Sequence, residues 1–327
     1  MAQRVPASDA SVLDAIGNTP LVRLHKVVPP RSAEVWIKLE GCNPTGSYKD
    51  RMARALIEGA EARGDLRPGM TVVEYTGGST GSSLAFVCAV KGYRFRAVSS
   101  DAFAPEKLRT MRAFGAEVTI VPSEAGKITP DLIPRMMERT RAFGKDPDTY
   151  LTDQISNRDA LDGYEGLGEE IVEQLGGAPA AFCAGVGTAG LVMGVTRAFR
   201  RLSHRVRIVA LEPASSPVLS AGRAGTHHVE GIGVGFVPPL FDSAQCDEVR
   251  AIDETAARSM ARRLAAEEGV FAGISSGLNV VGALQLACEL GSGHRVVTIA
   301  CDSGLKYLAG DLYQDQARDL DPSYAGR

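Results

Sequence analysis

The feature that most constrains this chain is an alternation. Short apolar runs rich in β-branched residues take turns with longer amphipathic stretches almost to the C-terminus. That is the sequence form of an α/β fold, a mainly parallel sheet covered by helices. In the first half the runs predict strands at Val35 to Leu39, Thr71 to Tyr75, Phe95 to Ser99 and Glu117 to Val121. The spacing between them predicts helices over Lys49 to Arg63, Thr80 to Lys91, Pro105 to Phe114 and Pro130 to Ala142, with Gly64, Gly92 and Gly115 as stops. A second series follows: helix Tyr164 to Leu175, strand Ala180 to Ala184, helix Gly190 to Leu202, strand Val206 to Leu211, helices Glu254 to Glu268 and Leu278 to Leu290, and strand Arg295 to Ala300.

A chain of 327 residues is long for one core and short for three, so two packed domains are expected. The polar, turn-rich GKDPDTY, 144–150, marks the crossover between them. Pro213 to Pro239 reads as a glycine-rich irregular segment of the kind that serves a binding site, and the C-terminal ARDLDPSYAGR as a frayed tail. A net charge of -3 gives no sign of a polyanion binder, so small molecules are the expected partners and neither nucleic acid nor membrane is. The six cysteines are scattered without a CxxC pair or a Cys/His cluster, and they read as reduced thiols with no metal. Without a basic-then-apolar leader or a run of membrane length, a cytoplasmic location is expected.

Three loops join a strand end to a helix start, where free backbone N–H groups favour anions. GVGTAG, Gly185 to Gly190, has the glycines that let a backbone wrap a phosphate. It also satisfies GxGxxG, and Glu212 ends the next strand, so a dinucleotide reading stands beside the phosphate reading. EYTGGSTG, Glu74 to Gly81, places glycines and hydroxyls at a helix start and suits a small carboxylate. NPTGSYKDR, Asn43 to Arg51, puts Lys49 at a helix N-terminus, whose field disfavours the ammonium form and favours a nucleophilic amine. A phosphate cradle, a carboxylate cradle and an activatable lysine together match an amino acid joined to pyridoxal phosphate.

At these residues the chain resembles the cysteine synthase and cystathionine β-synthase family, fold-type II pyridoxal-phosphate enzymes of β-replacement. The shared strings run nearly end to end: IGNTPLVRL, EGCNP before Lys49, TGGSTG, PEKLRTMRAFGAEV, GVGTAG, LEPASSPVLS, GIGVGFVP, GISSG and DSGLKYL. The resemblance implies a two-domain fold with the cofactor in the interdomain cleft. The smaller domain would be 41–149 and the larger 1–40 with 150–327. Lys49 would carry pyridoxal 5'-phosphate as a Schiff base and then shuttle protons. Gly187, Thr188, Ala189, Gly190 and Leu191 would hold the phosphate, and Ser275 would face the pyridine nitrogen. Thr76, Gly77, Gly78 and Thr80, with Gln154, would bind the substrate carboxylate, and Gly231 would wall the pocket opposite. The implied reaction takes an activated L-serine, O-acetylserine or O-phosphoserine, through an aminoacrylate to which sulfide or another small nucleophile adds. A homodimer is implied as well.

The sequence departs from the family at several points. The family loop TSGNTG, whose asparagine reaches the cofactor's phenolic oxygen, here has Ser79 in that place and Gly77 in place of serine. These changes predict a roomier substrate side and a phenolic oxygen bonded by Ser79 or by water. PTGSYK also resembles the PTGSFK of threonine synthases and dehydratases. Ala189 and Leu191 replace a common glycine and threonine, and Cys301 stands where proline is usual. Alternative readings are a cystathionine- or 2,3-diaminopropionate-forming synthase, a serine/threonine dehydratase, a non-catalytic cofactor scaffold and an NAD-dependent dehydrogenase. The basic run Arg197 to Arg207 reads as a solvated helix end, and His227 and His228 as loop residues.

Overall fold

In the computed structural model, which describes residues 10–314 apart from 127, 128 and 130, two sheets carry the chain. The elements in order are β1 Leu21–Arg23, β2 Glu34–Leu39, α1 Lys49–Arg63, β3 Thr71–Tyr75, α2 Ser79–Lys91, β4 Arg94–Ser100, α3 Pro105–Ala113, β5 Glu117–Val121, α4 Leu132–Phe143, β6 Thr149–Leu151 and α5 Asp159–Leu175. They continue with β7 Ala181–Gly185, α6 Gly190–Arg201, β8 Arg207–Pro213, α7 Val218–Ala221, β9 Glu248–Ile252, α8 Glu254–Arg263, α9 Ile274–Leu290 and β10 Arg295–Ala300. The expected helix start at Pro130 and the stretch 317–327 lie outside the described residues.

The smaller sheet has the order β5-β4-β3-β6 and is parallel throughout. The larger has the order β1-β2-β10-β7-β8-β9, parallel except for β1, which pairs antiparallel to β2. Its central strands β7 and β10 are apolar on both faces because helices cover both sides. The turn expected at 144–150 ends in β6, which pairs with β3 through Thr71 and Thr149. The strands β1, β6 and β9, the short α7 and the first turns of α5 and α9 went unread in the sequence, and α8 gives way to a π-helical turn at Leu264–Glu268.

Helix α1 lies between the two sheets. Met52 and Leu56 pack with Tyr164 and Phe182 of the larger unit, while Ala53, Ile57 and Ala60 pack with Val72 and Leu84 of the smaller. Its N-cap, Tyr48, makes no side-chain cap, so tertiary bonds hold its first turn. Asp50 accepts from Thr45 N at 2.7 Å and Thr45 Oγ1 at 2.5 Å. The Tyr48 N–H donates to the Cys301 carbonyl at 3.0 Å. One turn in, the buried Arg51 guanidinium forks twice, onto Glu40 at 2.8 and 2.9 Å and onto Glu170 at 2.7 and 2.8 Å. Lys38 adds a contact to Glu170 at 2.7 Å. Burial alone would raise the Glu170 pKa, but the bonds from Arg51 and Lys38 outweigh it and hold the carboxyl at about 2.

Removing Arg51 strands the fully buried Glu40 carboxylate and leaves Glu170 paired with Lys38. Arg51→Met should lower unfolding free energy by about 3 to 5 kcal/mol in urea titration. A loss under about 1 kcal/mol would show that the fork is not what anchors α1.

Candidate active site

Every segment singled out in the sequence, Ser275 apart, follows the C-terminal end of a parallel strand, where open α/β sheets hold ligands. β2 leads to Lys49, β3 to Thr76, β6 to Gln154, β7 to the phosphate-loop candidate and β10 to Cys301. The two sheets turn these ends toward one cleft. Across it Lys107 of α3 pairs with Glu230, Lys306 donates to Ser79 at 3.4 Å, and Thr45 Oγ1 lies 3.3 Å from Ser83 Oγ.

Lys49 opens α1 and is buried, its Nζ 4.7 Å from the Tyr48 ring centroid. Burial pulls its pKa down to about 8, against opposing pulls from Cys301 and Glu74. The sequence reading assigned this lowering to the helix end; in the fold burial is the largest cause. Nearby, Ser275 occupies the first turn of α9, a turn that sequence spacing missed. The Cys301 thiol, pushed by burial up to about 12 and so neutral, takes hydrogen bonds from Ser275 and from Asn279 Nδ2, the latter at 3.3 Å. Its N–H donates to Ser276 Oγ at 2.9 Å. Cys301 is a buried core residue that also ties α9 to the lysine segment.

The phosphate-loop candidate opens α6. Ala189 takes φ 68° as N-cap, a left-handed conformation that glycine would adopt without penalty. Among the described residues no hydrogen bond takes the N–H groups of Gly187, Thr188 or Ala189. Three free donors at a helix N-terminus form an anion cradle. Leu191 turns its side chain into the core, so any part it plays there is through its backbone. The Gly231 carbonyl closes on Gly187 so tightly that a Cβ at 187 would collide with it. Gly233 N–H donates to the Val186 carbonyl at 2.9 Å, joining the irregular segment to the cradle.

On the opposite side Thr76 Oγ1 accepts from the N–H groups of Gly78 and Gly81, both at 3.1 Å. Its own proton is thereby free to be donated. Thr80 donates to Gln154 Oε1 at 2.7 Å, so these two residues meet as expected but face each other. Beneath them Glu74 accepts from Thr152 Oγ1 at 2.6 Å and from Gln154 N at 3.0 Å, and burial raises its pKa to about 7. The expected roomier substrate side is not found at Gly77. A Cβ there would lie 2.6 Å from the Phe103 ring, which fills the space a serine would take. Ser79 Oγ accepts from Lys306, a contact that sequence spacing gave no reason to expect.

The dinucleotide reading loses its acid. Glu212 accepts from Leu219 N, Ser220 N and Ser220 Oγ at 2.7, 3.0 and 2.5 Å, which commits both carboxylate oxygens to the start of α7. Three arginines of the basic run are paired, Arg197 with Asp162 and Glu165, Arg201 with Glu169 and Arg207 with Glu248. His227 Nε2 lies 2.9 Å from the Gly233 carbonyl, and His228 contacts Glu254. Pyridoxal phosphate fits what remains: a buried amine lowered to about 8, a triple N–H cradle and a neutral Ser275, Cys301 and Asn279 cluster. Gly187→Ala should weaken cofactor binding by about tenfold or more, roughly 1.4 kcal/mol, in fluorescence titration of the cofactor-free protein. Unchanged affinity would show that the cradle lies elsewhere.

Comparison with known proteins agrees with this geometry. The model of the family described as pyridoxal-phosphate dependent enzyme matches residues 12–302. A cysteine synthase of Staphylococcus aureus is 39% identical over 306 residues, covering 93% of this chain and 96% of that one. An O-ureido-L-serine synthase of Streptomyces lavendulae is 38% identical over 306 residues, covering 93% and 92%. The crystal structure of a cysteine synthase from Entamoeba histolytica superposes with a TM-score of 0.88 at 32% identity, covering 96% of this chain and 92% of that one. With a family model matched over residues 12–302 and relatives 38 and 39% identical across nearly its whole length, the chain belongs to the pyridoxal-phosphate-dependent enzyme family.

Proposed function

We propose that this enzyme replaces the β-substituent of an activated L-serine, O-acetylserine or O-phosphoserine, with sulfide or another small nucleophile. The observation that carries the reading is Lys49 itself: a buried amine lowered to about 8, acted on by Cys301 after β10 and by Glu74 beneath the Thr76 to Gln154 loops. When bound, pyridoxal phosphate supplies an electron sink that makes the substrate's α proton acidic. The chain supplies the rest. Gly187 to Leu191 would bind the phosphate through N–H groups, and the Thr76 hydroxyl and the α2 N-terminus would orient the substrate carboxylate. Lys49 would hold the proton removed from Cα and return it after replacement. Ser275 and its neutral partners would leave the ring nitrogen without a carboxylate partner, which favours prompt loss of the β-substituent over a long-lived carbanion. Similarity to a cysteine synthase and to an O-ureido-L-serine synthase supports exchange at the β carbon, and their different products mean that the product decides the nucleophile.

We further assign 41–149 as the unit that moves on closure against 1–40 with 150–327. The chain would act as a homodimer, which light scattering tests.

To test the reaction, the holoprotein is given serine, O-acetylserine and O-phosphoserine in turn without nucleophile. The expected outcome is a change in the cofactor's visible spectrum with at least one ester, reversed by sulfide with release of cysteine, weighed by mass spectrometry. No spectral change and no product with any donor would sink the reading. A second outcome concerns pH. Only the neutral amine attacks an aldehyde, so the rate of cofactor uptake by cofactor-free protein should rise with pH through a midpoint of about 8. A midpoint near the ordinary lysine value of 10.5 would contradict the buried setting of Lys49.

A further inference from the structure

One charged group in the cleft is left without a task by the reaction as proposed. Lys107, in the first turn of α3, has a side chain only 6% exposed, and its ion-pair partner Glu230 is 45% exposed. The Lys107 ammonium lies 5.1 Å from the Tyr307 ring centroid. Its Cδ and Nζ stand 2.5 and 3.3 Å from the position a Cβ would take on Gly78, so this cation borders the carboxylate loop itself. Glu230 directly precedes Gly231, whose carbonyl covers the phosphate cradle. Lys107 thus spans from the loop of the smaller sheet to the opposite wall of the cleft.

A buried ammonium must have an anionic partner, because an unpaired one costs several kcal/mol. The partner need not be fixed. Lys107 is the one side-chain partner of Glu230 among the described residues, and a half-exposed carboxylate can pass to water at little cost. Below the pair, Tyr307 donates to Asp302 Oδ2 at 2.7 Å, while burial raises the Asp302 pKa and Oδ1 lacks a partner. The acid nearest the pair is therefore biased toward its neutral form, and a second ammonium, Lys306, also acts on it. An incoming anion meets two cations and one displaceable carboxylate.

We propose that Lys107 receives an anionic group, phosphate or carboxylate, carried by the leaving group or by the nucleophile, and that Glu230 keeps its place until that group arrives. The inference rests on the β-replacement reading. It makes Lys107 a specificity-determining residue and Glu230 its internal competitor.

Opposite substitutions should then act with opposite signs. In the holoenzyme, Lys107→Met should raise KM for the anionic reactant relative to its neutral counterpart by about tenfold, and Glu230→Gln should lower the same ratio. Two arms separate the sources. O-phosphoserine against O-acetylserine, with sulfide, tests the leaving group. Mercaptoacetate against 2-mercaptoethanol, with O-acetylserine, tests the nucleophile. Lys107→Arg, which keeps the charge, should restore the preference and so controls for misfolding. If both variants move anionic and neutral reactants by equal factors in both arms, the pair is only a latch and the proposal falls. Should the wild type turn over no donor, the β-replacement reading fails by itself. Calorimetry with inorganic phosphate on the holoenzyme then decides, since binding must weaken in Lys107→Met and strengthen in Glu230→Gln.

Discussion

The double fork of Arg51 onto Glu40 and Glu170 is the interaction on which the site depends. Helix α1 begins without a side-chain cap, yet the residue that opens it is Lys49. A helix start held only by its own backbone frays within a turn. Arg51 stops this by binding two carboxylates from two parts of the larger unit, one after β2 and one on α5, through five-donor geometry that a lysine could not match. Asp50 on Thr45 and Tyr48 on the Cys301 carbonyl complete the clamp. The amine proposed to carry the chemistry is thus set by a buried charged network, while the loops proposed to meet substrate are glycine-rich.

The same arrangement explains why α1 shares its surface between two cores. Met52 and Leu56 commit one face to the larger unit, and Ala53 and Ile57 commit the other to the smaller. The helix that opens with Lys49 therefore belongs to both cores at once.

Much of this was legible in the sequence, and the reasons for the failures are physical. Strands β3, β5 and β10 were bounded correctly because they are β-branched runs between clear turn signals, β3 and β10 buried and β5 at the sheet edge. β1, β6 and β9 escaped because two are three residues long and the third, EVRAI, is mixed in polarity; each exists by pairing with a distant neighbour. The start of α9 was hidden by the glycine and serines of GISSG, poor helix formers placed there by the site. At the site, residue types at strand ends were enough to single out Lys49, the N–H cradle and the Thr76 to Thr80 loop, while Gln154 beside Thr80 came only from the resemblance to the family. Phe103 at Gly77, Lys306 at Ser79 and Lys107 at Glu230 were not legible, since each joins segments more than twenty residues apart with no periodic signal.

The cause of the lysine shift changes how the site is understood. A helix-end field would act on Lys49 in any state in which α1 is formed. Burial acts only while the cleft excludes water, and here burial dominates. Of the groups that act on Lys49, Cys301 follows β10 of the larger sheet and Glu74 lies in β3 of the smaller. Rehydrating the amine would remove the burial that lowers it and return it toward the ordinary lysine value of 10.5. The lowered basicity of Lys49 is therefore set by its dry surroundings more than by its place at a helix start, and the contacts that keep those surroundings dry bear on the proposed chemistry as much as the loops that line the cleft.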